Sequence, residues 1–260
     1  MLGFNSFEYN GIDLRSYGMY LKKRSLYTIP SRNLELNEIA GRSGRVPVGG
    51  DVFDNVNETY EFWSYAREMP YTDEETIKKL IDWLITDNTY KVLRDTYHEG
   101  YYTKAVCTKV TDVEIKADGM VQGKITFSRL PYWYLEMGKE PLVFTEITNN
   151  EVFATLINPE KYNAIPDIEI SASSPYVVTL YVNNRKYEIA SMTSQNSTAK
   201  IEGETGNLYI NGVLKNSSAL YDYIPELPAE TEISLKVKSN AMVSYSGWQY
   251  VKITPNWRRI

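Results

Sequence analysis

Thr72-Asp73-Glu74-Glu75-Thr76-Ile77-Lys78-Lys79-Leu80-Ile81-Asp82-Trp83-Leu84-Ile85 is the stretch that decides how this chain is read. Ile77, Leu80, Ile81 and Leu84 recur at helical spacing and fall on one face. Thr72 and Glu75 make a capping-box pattern, with Pro70 just upstream. Glu74 with Lys78 and Glu75 with Lys79 are favourable i,i+4 pairs on the exposed side. Asp87-Asn88 closes the segment. The spacing predicts a helix over about 73–85, the only convincing one in the chain. A single amphipathic helix among strands must lie across a sheet, because its apolar stripe needs an apolar face to cover.

Working outward, strand patterns flank this helix. Asp112-Val113-Glu114-Ile115-Lys116 alternates with period two, Asp118-Gly119 is a two-residue hairpin signal, and Gly123, Ile125 and Phe127 share one face of the returning strand. Upstream, Ala40-Gly41-Arg42-Ser43-Gly44-Arg45-Val46-Pro47-Val48-Gly49-Gly50 has no core periodicity and reads as a long exposed loop or arm over about 41–51. Leu130-Pro131-Tyr132-Trp133-Tyr134 closes the first half, and Met137-Gly138-Lys139-Glu140-Pro141 reads as a linker. Beyond it the pattern is strand throughout. Asp167 to Ser171 alternates. Tyr176 to Val182 and Arg185 to Ile189 flank Asn183-Asn184. Leu208-Tyr209-Ile210 and Val213-Leu214 flank Asn211-Gly212, the strongest turn signal in the chain. Glu232 to Lys238 alternates without a fault. Short strands with regular turns predict an antiparallel β-sandwich. The expected organisation is a mainly β protein: residues 1–137 a domain of strands with one helix, residues 138–260 an antiparallel β-sandwich.

Composition sets limits on function. At 260 residues two domains are the default, and 43% hydrophobic residues fill real cores. The net charge is −5, spread over both halves, with no basic stripe to neutralise a phosphate backbone, so sequence-specific nucleic-acid binding is not expected. Cys107 is the only cysteine, which rules out an intrachain disulfide. Met1-Leu2-Gly3-Phe4-Asn5 has no basic n-region and no long apolar h-region, so no secretory signal is expected. No apolar run is long enough to span a bilayer, so no membrane is expected among the partners. The 22 tyrosines suit half-buried sheet surfaces and subunit contacts.

Catalytic constellations are missing. His98 is the only histidine, which excludes a multi-His metal site within one chain. No pair stands out among the 33 acidic residues as a glycosidase couple. The glycines at 41 and 44 form neither a P-loop nor a dinucleotide fingerprint. Asp51 to Asp54 lacks the spacing of a calcium loop. No enzyme activity, metal or cofactor is expected. Tyr245, Trp248 and Tyr250, with Trp257, offer an aromatic platform for sugar stacking as an alternative to packing within the sheet.

The two ends and the landmarks between them form an ordered series. Phe7-Glu8-Tyr9-Asn10-Gly11-Ile12-Asp13-Leu14 and Tyr17-Gly18-Met19 open it. The helix, Pro131-Tyr132-Trp133, Asn158-Pro159 with Tyr162, Ala164 and Pro166, and Ile201 with Gly203-Glu204-Thr205-Gly206 follow. Val251-Lys252-Ile253-Thr254-Pro255-Asn256-Trp257-Arg258-Arg259-Ile260 closes it. In that order these segments resemble the distal tail protein family of long-tailed bacteriophages, over nearly the whole chain. The resemblance implies an N-terminal β-sandwich-like domain with one helix that assembles into a hexameric ring at the end of the tail tube, and a C-terminal galectin-like β-sandwich outside it. It implies as partners the tail tube protein, a tail-associated hub or fibre protein and the receptor-binding apparatus, in a virion assembled in the host cytoplasm. Family members extend a loop of the first domain to the next subunit. On this chain that role falls to Gly41, Arg42, Gly44, Arg45, Val46 and Pro47, with the arginines facing acids across the interface. The galectin-like label concerns fold, and fold does not carry function. The alternative is a carbohydrate-binding module that attaches the tail to cell-wall glycans.

Overall fold

The structure, a computed structural model, describes residues 5–24, 28–49, 52–145, 151–172, 177–190, 192, 197–239 and 248–260. The chain divides into two compact units, residues 1–133 with Ile260, and residues 134–259.

The first unit contains β1 (Phe7–Tyr9), β2 (Ile12–Asp13), β3 (Tyr20–Arg24), β4 (Glu35–Glu38), β5 (Arg45–Val48), β6 (Val56–Tyr65), α1 (Asp73–Ile85), β7 (Lys91–Asp95), β8 (Tyr101–Ile115) and β9 (Met120–Arg129). Its main sheet runs β2-β1-β7-β8-β9-β6-β3, with every neighbouring pair antiparallel. Val121, Gly123, Ile125 and Phe127 point to one side of β9 and are buried, while the residues between them are half exposed. α1 supplies the cover: Leu80 and Leu84 are fully buried in one cluster with Phe7, Tyr60, Leu93 and Phe127. Gly123 is required here, because a methyl group at its Cβ position would sit 2.6 Å from the Phe62 ring.

The helix begins and ends where its sequence predicts, but its cap differs from the capping-box expectation. Thr72 has the extended N-cap backbone without accepting a side-chain hydrogen bond. Glu75 reaches forward to Lys79 at 3.0 Å instead of back to the cap. At the other end Asp87 pairs with Lys91 at 2.6 Å. The Asp118-Gly119 hairpin also differs in detail. Lys116 donates to Met120 and Gly119 donates to Lys116, so the connection is longer than two residues.

β10 (Trp133–Leu135) spans the division between the units. The second unit continues with β11 (Leu142–Phe144), β12 (Glu151–Ile157), β13 (Asp167–Ala172), β14 (Val177–Val182), β15 (Arg185–Ala190), β16 (Ser197–Ile201), β17 (Leu208–Ile210), β18 (Val213–Leu214), β19 (Ala219–Leu220), β20 (Glu232–Ser239) and β21 (Trp248–Thr254). They form two antiparallel sheets, β11-β21-β13-β16-β17-β18 and β12-β20-β14-β15-β19. Ile168, Ile170, Ile201, Leu208 and Val251 from the first sheet meet Val178, Leu180, Ile189, Ile233 and Leu235 from the second in one core. This is the sandwich that the alternating strands require. Asn211 and Gly212 both have positive φ, 51° and 77°, as a type I′ hairpin turn demands.

The stretch read as a linker is packed structure. Residues Glu136–Lys139 form a 3₁₀ turn in which Gly138 is buried. A methyl group on Gly138 would lie 2.9 Å from the Trp257 backbone nitrogen. The Asn256 amide donates to the Gly138 carbonyl at 3.1 Å, and the Leu135 amide donates to the Trp257 carbonyl at 2.9 Å. Gly and Pro marked a tight backbone approach rather than a loose tether.

Candidate interaction surfaces

The arm is a β-hairpin, and it begins earlier than the glycines suggest. β4 and β5 pair only with each other, in the register Glu35 to Val48, Leu36 to Pro47, Asn37 to Val46 and Glu38 to Arg45. Hydrogen bonds from Asn33 to Val52 and from Asp54 to Ser31 carry the pairing down to the root. The expected loop or arm over 41–51 is thus part of a longer hairpin, whose described residues run over 31–49 and 52–54. Gly41 and Gly44 form its tip with φ of 81° and 88°, and Arg42 stands exposed between them. Arg45, Val46 and Pro47 lie in β5, while Gly50 and Asp51 fall outside the described residues. Neither strand faces a core, so the period-two signal of a half-buried strand could not develop. Pro47, with no N–H to donate, is tolerated because both strands of an isolated hairpin are edges.

Cross-strand partners share a face, so Leu34, Leu36, Pro47 and Gly49 lie on one side and Val46 and Val48 on the other. Leu36 is 55% exposed and Val52 60% exposed. The side chains of Arg42 and Arg45 have no partner among the described residues. The arm thus presents apolar and cationic groups that nothing within the described chain satisfies. The outgoing leg could have been read from Leu34-Glu35-Leu36, whose alternation precedes the segment that the glycines single out.

His98 sits in the turn after β7, as its Glu99-Gly100 neighbours suggest, but it is part of a polar network. Its Nδ1 lies 2.9 Å from Asp95 Oδ1, and its ring stacks on Trp133 at 3.8 Å between centroids. Asp95 also accepts from the Tyr60 hydroxyl at 2.7 Å and from the backbone N–H groups of Tyr97 and His98. Burial alone would raise the Asp95 carboxyl, but hydrogen bonds from His98 and Tyr60 hold it below the usual carboxylate range. Burial pushes Tyr60 well above the ordinary phenol value, with the Asp95 charge adding to the effect. Among the described residues no hydroxyl or thiol is hydrogen-bonded to the His98 ring, and the pair stabilises a turn. Beside it, burial raises the Glu58 carboxyl while Arg129, 3.3 Å away, offsets part of the rise. No group of three or more metal-ligating side chains occurs among the described residues.

Of the four aromatics read as a sugar-stacking platform, Tyr250 and Trp257 have side chains that the structure describes. Trp257 is buried in the sandwich core. Tyr245 lies outside the described residues, and Trp248 opens β21. The Tyr250 hydroxyl donates to Glu169 Oε1 at 2.6 Å, and the Lys252 ammonium lies 4.4 Å from the centre of its ring. The hydroxyl is thus committed and one ring face is engaged by a cation.

The fold is thus a mostly β first unit with one covering helix and an exposed hairpin arm, followed by a β-sandwich. Residues 3–129, nearly all of the first unit, match the family described as the phage tail protein N-terminal domain. The whole fold is similar to the crystal structure of the Dit protein of phage SPP1, described as a paradigm of the hub adsorption apparatus in phages that infect Gram-positive bacteria. The two are 11% identical, with a TM-score of 0.67, over 96% of this chain and 98% of that one. It is also similar to a chain in the baseplate of phage p2 in its activated conformation with strontium, at 11% identity and a TM-score of 0.50, over 99% of each chain. No curated protein sequence matches significantly.

Proposed function

We propose that this chain is the distal tail hub of a long-tailed phage. Six copies form a ring that ends the tail tube and lets DNA pass. The ring joins the tube protein to a tail-associated hub or fibre protein and supports the receptor-binding apparatus. It has no catalytic role, acts in the virion and assembles in the host cytoplasm. The observation that carries this reading is the arm. An extended hairpin from Ser31 to Arg42 reaches roughly 35 Å at about 3.3 Å per residue, far enough to lie on a neighbouring copy. Its Leu34, Leu36 and Pro47 face and its unpaired Arg42 and Arg45 supply a contact surface that needs a second molecule. A head-to-tail contact of this kind satisfies every arm only if the ring closes. The hub described for the SPP1 protein, similar over nearly its whole length, supports the same reading.

The test is the mass of the full chain in solution, by light scattering, with and without the arm. Removing Arg42–Gly49 alone would leave β4 unpaired, so Leu34–Gly49 is replaced by a short glycine-serine turn. The intact chain should form a ring-sized oligomer and the shortened one a monomer. An identical oligomer from both would show that the arm is not the clasp. Incubation with peptidoglycan should release no fragments. Turnover abolished by a single Asp or Glu substitution would overturn the structural reading.

A further inference from the structure

Arg129 ends β9, and only 3% of its side chain is exposed. Its hydrogen bonds leave in three directions. Nε donates to Glu58 Oε2 at 3.3 Å. Nη2 donates to the Thr28 carbonyl at 3.1 Å. Nη1 is shared between the carbonyls of Leu130 at 3.0 Å and Pro131 at 3.2 Å. A buried cation has to be paired and hydrogen-bonded, because leaving it bare is strongly destabilising. These partners are therefore held.

Their places in the chain give the bonds a meaning. Thr28 leads into Ser31, where the outgoing leg of the arm begins. Glu58 lies in β6 just after Val56, where the returning leg joins the main sheet. Leu130 and Pro131 open the segment that leaves the first unit. The returning leg has further anchors: Phe53 meets Tyr132 edge-on at 6.0 Å, and Asn55 donates to the Tyr90 hydroxyl at 2.5 Å. Arg129 is the group that both legs share.

We infer that Arg129 is a positioning residue for assembly: it clamps both legs of the arm at their root and fixes the direction in which the hairpin is presented. Hairpin pairing makes the arm a rigid rod, but a rod on loose roots still sweeps a wide cone. A planar guanidinium can hold three diverging acceptors at once, which a lysine ammonium on a flexible stem does not reproduce. An arm held in its binding direction loses less freedom when a neighbour takes it, which strengthens association without any new contact. The inference rests on the arm being the contact between copies, but the clamp can be read without assembly.

The experiment measures the distance between spin labels at Ser43→Cys on the arm tip and Lys78→Cys on the exposed side of α1. It uses the full chain with Cys107→Ser, diluted in unlabelled protein. The parent should give one narrow distribution. Arg129→Lys should broaden it by about twofold or more, because the side chain keeps its charge but loses the fork. The double variant Glu58→Met with Arg129→Met should broaden it equally while melting close to the parent, since apolar replacement of a whole buried ion pair is often neutral. In both variants the concentration needed for half-assembly should rise about tenfold. A distribution as narrow as the parent's in either folded variant overturns the clamp, whether or not the parent assembles. A parent that stays monomeric with a narrow distribution that Arg129→Lys broadens overturns the ring and leaves the clamp standing.

Discussion

Asp95 shows how one side chain links fold and solution behaviour. Its carboxylate is nearly wholly buried, yet it takes hydrogen bonds from His98, Tyr60 and two backbone amides. The folded carboxyl titrates below its unfolded value of about 3.9, so the stability it contributes is fully present above about pH 4 and is lost as the pH falls through the folded value. Glu58 works the other way, because its carboxyl is raised by burial and protonation there favours the folded form. Asp95→Asn should therefore lower stability at pH 7 and make the loss below about pH 4 shallower, as measured by urea unfolding across pH. An unchanged acid limb would show that other carboxylates control it. Thr76 gives a second test. It is fully buried in α1 and its hydroxyl has no hydrogen-bond partner among the described residues. An unsatisfied buried hydroxyl costs about 1–3 kcal/mol, so Thr76→Val, which keeps the shape, should raise stability by roughly 1 kcal/mol. A loss of stability would mean that the hydroxyl has a partner, such as a bound water. Neither group stood out in the sequence, because burial of one polar residue leaves no periodic trace.

At the scale of elements, what was legible is what faces a core. The stripe of α1 could be read because Leu80 and Leu84 must meet a sheet, and Glu232 to Lys238 because alternate residues point into the sandwich. Leu80→Ala should cost roughly 2–5 kcal/mol in chemical unfolding. A loss below about 0.5 kcal/mol would be incompatible with the packing seen here. The arm stayed partly hidden for the same reason. With solvent on both faces, β4 and β5 gain no alternation from burial, and beyond the short Leu34-Glu35-Leu36 run only the glycines of the tip mark them. The Arg129 and Glu58 contact was equally invisible: the two residues are far apart in sequence, and each alone looks like an ordinary strand charge. Trp257 is a related case, since its place among the aromatics near the C-terminus said nothing of its turning into the core.

For the whole molecule the informative question is where one unit stops. Composition placed the change near Met137 to Pro141, because glycine, proline and charge there look like a tether. The contacts put it between Trp133 and Tyr134. Leu135 packs against the sandwich core, the Trp257 carbonyl takes the Leu135 amide, and Gly138 fits against Trp257 with no room for a methyl group. Residues 134–141 are thus part of the second unit, closing one side of its core. Each unit also has its own hydrophobic cluster, with no residue in common. A fragment starting at Tyr134 should fold and unfold cooperatively, whereas one starting at Leu142 should uncover Trp257. The shorter fragment should then be less stable by several kcal/mol, on the scale of about 2–5 for opening a packed core site. Gly138→Ala in the full chain should show a smaller loss by the same mechanism, and limited proteolysis of the intact chain should spare 136–139. Equal stability of the two fragments, or a cleavage inside that turn as fast as in exposed loops, would restore the tether and return the boundary to where composition placed it.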